Sequence, residues 1–269
     1  MRRRVLSPII AILLLISCII LIGCTGDAGD TGTLRFTASG EDFVRQGFVS
    51  KDGWRIDFDH VYVVLADITA YQTDPPYDAH SGGDINSTAK VSLDDVYMVD
   101  LTEGNVDASP ILVGSKTANA GHYNAISWKM VKASAGAASA YSLVIIGKAE
   151  KEGESIDFTI KIEKEYAYSC GEFVGELRKG VVQKDRTADV EMTFHFDHIF
   201  GDVETPLDDD LNVGSIGFDP FAVMAQDSVL DIDMEGLKSK LSANDYKVLS
   251  ETLLTLGHVG EGHCHCDSF

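Results

Sequence analysis

The stretch Gly257-His258-Val259-Gly260-Glu261-Gly262-His263-Cys264-His265-Cys266 gathers three histidines and two cysteines around three glycines. Imidazole nitrogens and thiolates are ligands for zinc, copper and related ions, and glycines let a backbone fold closely about a small object. A second group lies upstream in Phe194-His195-Phe196-Asp197-His198-Ile199-Phe200-Gly201-Asp202. On a strand, His195 and Asp197 share the face opposite Phe194 and Phe196. His198 joins them if the strand bends or ends, as Gly201-Asp202 suggests. In an extended tail His263 and His265 alternate with Cys264, so both imidazoles can face one ion. The expectation is that the two groups converge on one transition metal, zinc or copper. His195, His198, His258, His263 and His265 are the expected ligands, with Asp197 and Asp202 as ligands or as carboxylates that orient them.

Neither group has a zinc-finger or metalloprotease spacing, and HExxH is absent. There is no G-x-S-x-G elbow, P-loop or dinucleotide fingerprint. Asp208 to Gly214 fails as a calcium loop because its glycine comes one position late and no Glu closes it. His60, in a strand beside Asp59, reads as a core or edge histidine, and His80 and His122 read as solvent-facing. The expectation is no enzyme. A metal-dependent hydrolase needs a general base beside an open coordination position, and Glu261 is its one candidate.

These groups must be positioned by a mostly β chain. Trp54 to Asp59 alternates apolar and polar residues, and His60 to Leu65 continues as a more buried strand. Ala140–Ala149 and Ile156–Ile162 read as a hairpin. Thr187 to Phe196 is the last strong strand, with Val190, Met192, Phe194 and Phe196 on its apolar face. Many strands without βα alternation predict an antiparallel β-sandwich over 34–202. Residues 203–269 predict a small helical region whose His/Cys tail packs on the sandwich. Asp219-Pro220 opens one helix, and a second is expected around Met234 to Leu241. Ser242 with Asp245 resembles a capping box for a third, with a Tyr246, Leu249, Leu253, Leu256 stripe and Gly257 as its stop.

The N-terminus predicts the compartment. Arg2 to Arg4 precede an apolar run from Ile9 to Ile22, a signal-peptide pattern over residues 1–23. Leu21-Ile22-Gly23-Cys24 resembles a bacterial lipobox, which implies lipidation of Cys24 and a membrane anchor in the cell envelope. Thr25 in place of Asp after that cysteine favours the outer membrane. Residues 24–33, small and Gly-rich, suit a tether. Removing 1–23 takes away three of 22 Lys+Arg and none of 42 Asp+Glu, so the charge goes from −20 to −23. Such a balance excludes nucleic acid as a partner and electrostatic adsorption to anionic lipid. In an oxidising compartment Cys170 is expected to pair with Cys264 or Cys266.

Asp52-Gly53-Trp54-Arg55-Ile56-Asp57-Phe58-Asp59, Ala120-Gly121-His122-Tyr123-Asn124-Ala125-Ile126 and His195-Phe196-Asp197-His198-Ile199-Phe200-Gly201-Asp202 together resemble uncharacterised bacterial lipoproteins. In outline they are similar to secreted copper-binding β-sandwich proteins. The resemblance spans most of 34–202 and implies His195, Asp197 and His198 as site positions. It also implies a metal-handling envelope protein or outer-membrane receptor as partner. The helical extension and its tail depart from that outline. The alternative function is a structural or adhesive surface lipoprotein whose metal, if any, only staples the tail.

Overall fold

The computed structural model describes residues 29–171, 180–260 and 262–269. The leader and Cys24 lie outside the described residues, as do Glu261 and the side chain of His263. Among the described residues no helix is long and apolar enough to cross a membrane.

The chain is mainly β, with short helices toward its C-terminal part. In order come β1 (Thr31–Ser39), α1 (Glu41–Gln46), β2 (Phe48–Val49), β3 (Arg55–Gln72), β4 (Ala89–Leu93), β5 (Tyr97–Asp100) and β6 (Ile111–Asn119). Next are β7 (Gly121–His122), β8 (Ala125–Met130), β9 (Leu143–Lys151), β10 (Glu154–Ile162), β11 (Tyr166–Cys170), β12 (Val181–Val182) and β13 (Thr187–Phe194). The last part holds α2 (Asp197–Phe200), α3 (Asp210–Gly214), α4 (Asp219–Ala222), β14 (Val229–Ile232), α5 (Met234–Lys240), α6 (Ala243–Thr252), β15 (Gly257–Val259) and β16 (Gly262–Ser268).

One layer is built on β3, whose length lets it pair with β9 along its first half and with β8 along its second. The hairpin β9–β10 turns at Glu152-Gly153, both at positive φ, the geometry that matches strand twist. The other layer joins β6, β1, β13 and β15. Their inner faces meet through aromatic rings, with Trp128 of β8 6.1 Å from Phe194 of β13 and Phe58 of β3 6.0 Å from Phe196. Such pairs add to the burial of large apolar side chains, the main stabilising term here.

Three features depart from the sequence reading. Among the described strands, pairing is antiparallel except for β1 with β13 and β10 with β14, which are parallel. Strand β1 begins at Thr31, inside the expected tether, and slots between β13 and β6. The C-terminal region is not only helical, since β14, β15 and β16 become members of the sheets. Strand β16 crosses from one layer to the other: Gly262 and His263 pair with β15, and Cys264 to Ser268 pair with β11.

The Ser242 cap forms as expected, accepting from the Asp245 amide. Gly257 is not the stop of that helix, which ends at Thr252. It starts β15, and a Cβ there would lie 2.7–2.8 Å from the rings of Tyr168 and Trp128. Only glycine lets the strand pass so close over that stacked pair.

Candidate metal centre

Strand β13 ends at Phe194, and the next residues fold into α2. The His195 amide still donates to the Leu256 carbonyl, which holds this end beside β15. The one-turn helix then swings Asp197 and His198 back toward His195. One potential donor atom from each of His195, Asp197 and His198 lies within 4.8 Å of the others. From the far strand comes His258, 60 positions on from His198. Its ring centroid is 4.4 Å from that of His195 and 5.1 Å from that of His198, and the latter two are 5.4 Å apart.

Hydrogen bonds set which nitrogen carries the lone pair in two of the rings, His198 and His258. The Thr255 hydroxyl has one hydrogen, and its oxygen lies 2.9 Å from the Thr252 carbonyl, which only accepts. That oxygen therefore accepts from His198 Nδ1–H at 3.0 Å, which leaves the His198 lone pair on Nε2. The carbonyl of the same Thr255 accepts from His258 Nε2–H at 3.0 Å, so the His258 lone pair is on Nδ1. Glu41 Oε1 stands 3.3 Å from His195 Nε2, and Asp197 Oδ1 is 3.9 Å from His195 Nδ1. A proton on Nε2 facing Glu41 leaves the Nδ1 lone pair on the side of Asp197. His198 and His258 are thus each held at one nitrogen and directed by the other, the pattern by which metal-ligating histidines are oriented.

Asp197 is buried, and its Oδ1 has no hydrogen-bond partner among the described residues. Burial pushes its carboxyl above the usual range, although the neighbouring His198 and the backbone amides of 197 and 198 pull the other way. An ionised carboxylate in such a place is unfavourable unless a cation meets it. Donors on a tetrahedral zinc, bound at about 2.0–2.1 Å, stand roughly 3.3 Å apart.

The remaining expected residues lie elsewhere or outside the described part. Asp202 spends its carboxylate on the next turn, accepting from the Glu204 amide and the Thr205 hydroxyl. His265 belongs to the part of β16 that pairs with β11, opposite Ser169. Its ring packs within about 3 Å of where Gly82 would carry a Cβ, and it stands 3.5 Å from Asp267. The crossing of β16 between layers is what parts it from the cluster. The backbone of His263 is the register partner of His258, and its side chain lies outside the described residues. His122 is not solvent-facing: it is half-buried in β7. His60 pairs with Asp100 at 2.7 Å.

Of the two cysteine pairings left open, the structure makes Cys170–Cys264, between facing residues of β11 and β16. Cys266 stays reduced, and burial pushes its thiol up to about 12, although Tyr168 pulls the other way. At pH 8 only about one thiol in ten thousand is then ionised, which makes Cys266 neither a ready ligand nor a nucleophile. Iodoacetamide at pH 8 should leave the native protein unlabelled at Cys266 and label it fully in denaturant. Mass spectrometry reads both, and rapid labelling of the native protein would show an accessible thiolate.

Glu41 and Thr255 were not singled out from the sequence. Neither sits in a motif, and Glu41 is distant along the chain. Its φ of 52° is rare for a residue with a side chain and marks it for attention only once the backbone is known. Comparison with protein-family models, with curated proteins and with solved structures gives no match, so the site rests on its own geometry.

Proposed function

We propose that this chain is a lipid-anchored extracytoplasmic protein that captures, stores or delivers a transition metal, zinc or copper. His195, His198 and His258 are the ligands, with Asp197 as the fourth donor. One observation carries the reading: three imidazoles from two distant segments meet with their rings 4.4–5.4 Å apart, two of them held at one nitrogen by Thr255. Three nitrogens and one carboxylate oxygen suit zinc or divalent copper. The disulfide is consistent with a location outside the cytoplasm. Anchoring through Cys24 is supported by the lipobox-like end of the leader, and a metal-handling partner in the envelope by the resemblance of the strand motifs. In the structural or adhesive alternative a metal, if any, only staples the tail, and Cys170–Cys264 already ties that tail to β11.

The test is a competition titration with Zn2+ at pH 7.5 and at pH 5.0. Protonated imidazole cannot ligate, and an ordinary histidine has a pKa of about 6.5. At pH 5.0 each imidazole then competes with its proton at a cost of roughly thirtyfold if it titrates normally. Affinity should fall at least a hundredfold, and equal affinity at the two values would remove histidine from the coordination shell.

A further inference from the structure

The outer face of β13 carries Glu191, Thr193 and then His195, in alternate positions and so in one row. Glu191 and Thr193 are only 6% and 4% exposed, although they point away from the apolar face of Val190, Met192 and Phe194. Both line a cavity of about 620 Å³ that is also walled by α1, the end of β1 and Gly260, just past β15. Glu41, Asp42, Glu191, Ser39 and Thr193 give that wall its oxygens. Its one cation among the described residues, Arg45, is turned to the carbonyls of Glu103, Ala108 and Ser109.

Two observations join this cavity to the histidines. Glu41 belongs to both, lining the cavity and standing 3.3 Å from His195 Nε2. Thr193 does likewise: it lines the cavity and is the cross-strand partner of His258. The Thr193 hydroxyl is buried with no hydrogen-bond partner among the described residues. An orphaned buried hydroxyl is unfavourable relative to a satisfied one, and Thr193 is part of the cavity wall, where a passing ligand can satisfy it. The Glu191 carboxylate is fixed by the Ser39 hydroxyl at 2.7 Å.

We propose that this cavity is the inlet of the metal centre. It receives a hydrated divalent cation, held through its water shell by Glu41, Asp42 and Glu191, and passes it along Thr193 to the imidazoles. The inference rests on the metal reading above. A cleft lined by one sign of charge raises the capture rate of the opposite sign by 10- to 1,000-fold, and the gain fades with salt. Oxygen donors suit the hydrated ion and nitrogen donors the dehydrated one, so the row grades from the first to the second.

Stopped-flow absorbance of Co2+ binding to the full chain in detergent tests this, with melting temperature as a control for folding. Glu191→Gln should slow association about tenfold at low ionic strength and flatten its salt dependence. Asp42→Asn, at an exposed position, should slow it about threefold and tests the charge even if Glu191→Gln folds poorly. Glu235→Gln, on α5, makes the same change in net charge and should stay within twofold of wild type. Thr193→Val removes the orphaned hydroxyl without altering charge. It should melt at the same or a higher temperature and yet slow association about fivefold. Wild-type rates and salt dependence in Asp42→Asn and Thr193→Val overturn the inlet and leave the metal centre standing. Failure of the wild-type protein to bind Co2+ overturns both.

Discussion

Changing His198 and His258 together to Ala should lower zinc affinity on the order of a thousandfold or more, while His265→Ala leaves it within about twofold. Loss of an orienting partner alone usually costs 10- to 100-fold, so loss of two ligands from a four-donor set must cost more. His265 serves as the internal control, since it is a histidine of the same tail placed on the other layer beside Gly82. Thr255→Val lies between these limits. It removes the hydroxyl that fixes His198 but keeps the carbonyl that fixes His258, and about a tenfold loss is expected. Competition with a chromophoric chelator reads all three. A large effect from His265 with none from His198 and His258 would move the site to the tail.

The second large effect concerns the disulfide. Cys170→Ser, or reduction, opens a link across a sequence separation of 94 residues. A closed loop of that size contributes about 4–5 kcal/mol in the chain-entropy account. For a chain of this length that corresponds to a fall in melting temperature of roughly 10 °C or more. The effect should reach the metal as well. Strand β16 is fastened to β11 by this bond, and its first residues hold β15, which carries His258. Loosening that hairpin removes the fixed position of one imidazole, so zinc affinity should drop about tenfold. Calorimetry and the same chelator competition measure the two losses. An unchanged affinity in a destabilised variant would mean that β15 is held by β13 alone.

Much of this arrangement is legible in the sequence because the signals are local. Alternation marks β13 and the β9–β10 hairpin, Ser242 marks the start of α6, and the types of His195, Asp197, His198 and His258 suggest a ligand set. What stays hidden is set by distant contacts. An extended tail predicts that His263 and His265 share a target, and nothing local announces that β16 changes layers between Gly262–His263 and Cys264–Ser268. Asp202 reads as a ligand or as a carboxylate that orients one, whereas its oxygens accept from the Glu204 amide and the Thr205 hydroxyl of the next turn. Gly257 reads as a helix stop because its role, clearance over Trp128 and Tyr168, depends on rings far along the chain. Glu41 gives no sequence signal at all, since its part in the site comes from a strained start to α1 and from the pairing of β1 with β13.

The most direct test of the metal centre is X-ray absorption at the zinc edge, on the full chain loaded with one equivalent of Zn2+. The account predicts a first shell of nitrogen and oxygen only, at about 2.0–2.1 Å, with outer-shell scattering from at least two imidazoles. A sulfur shell at about 2.3 Å, or the absence of imidazole scattering, would contradict it.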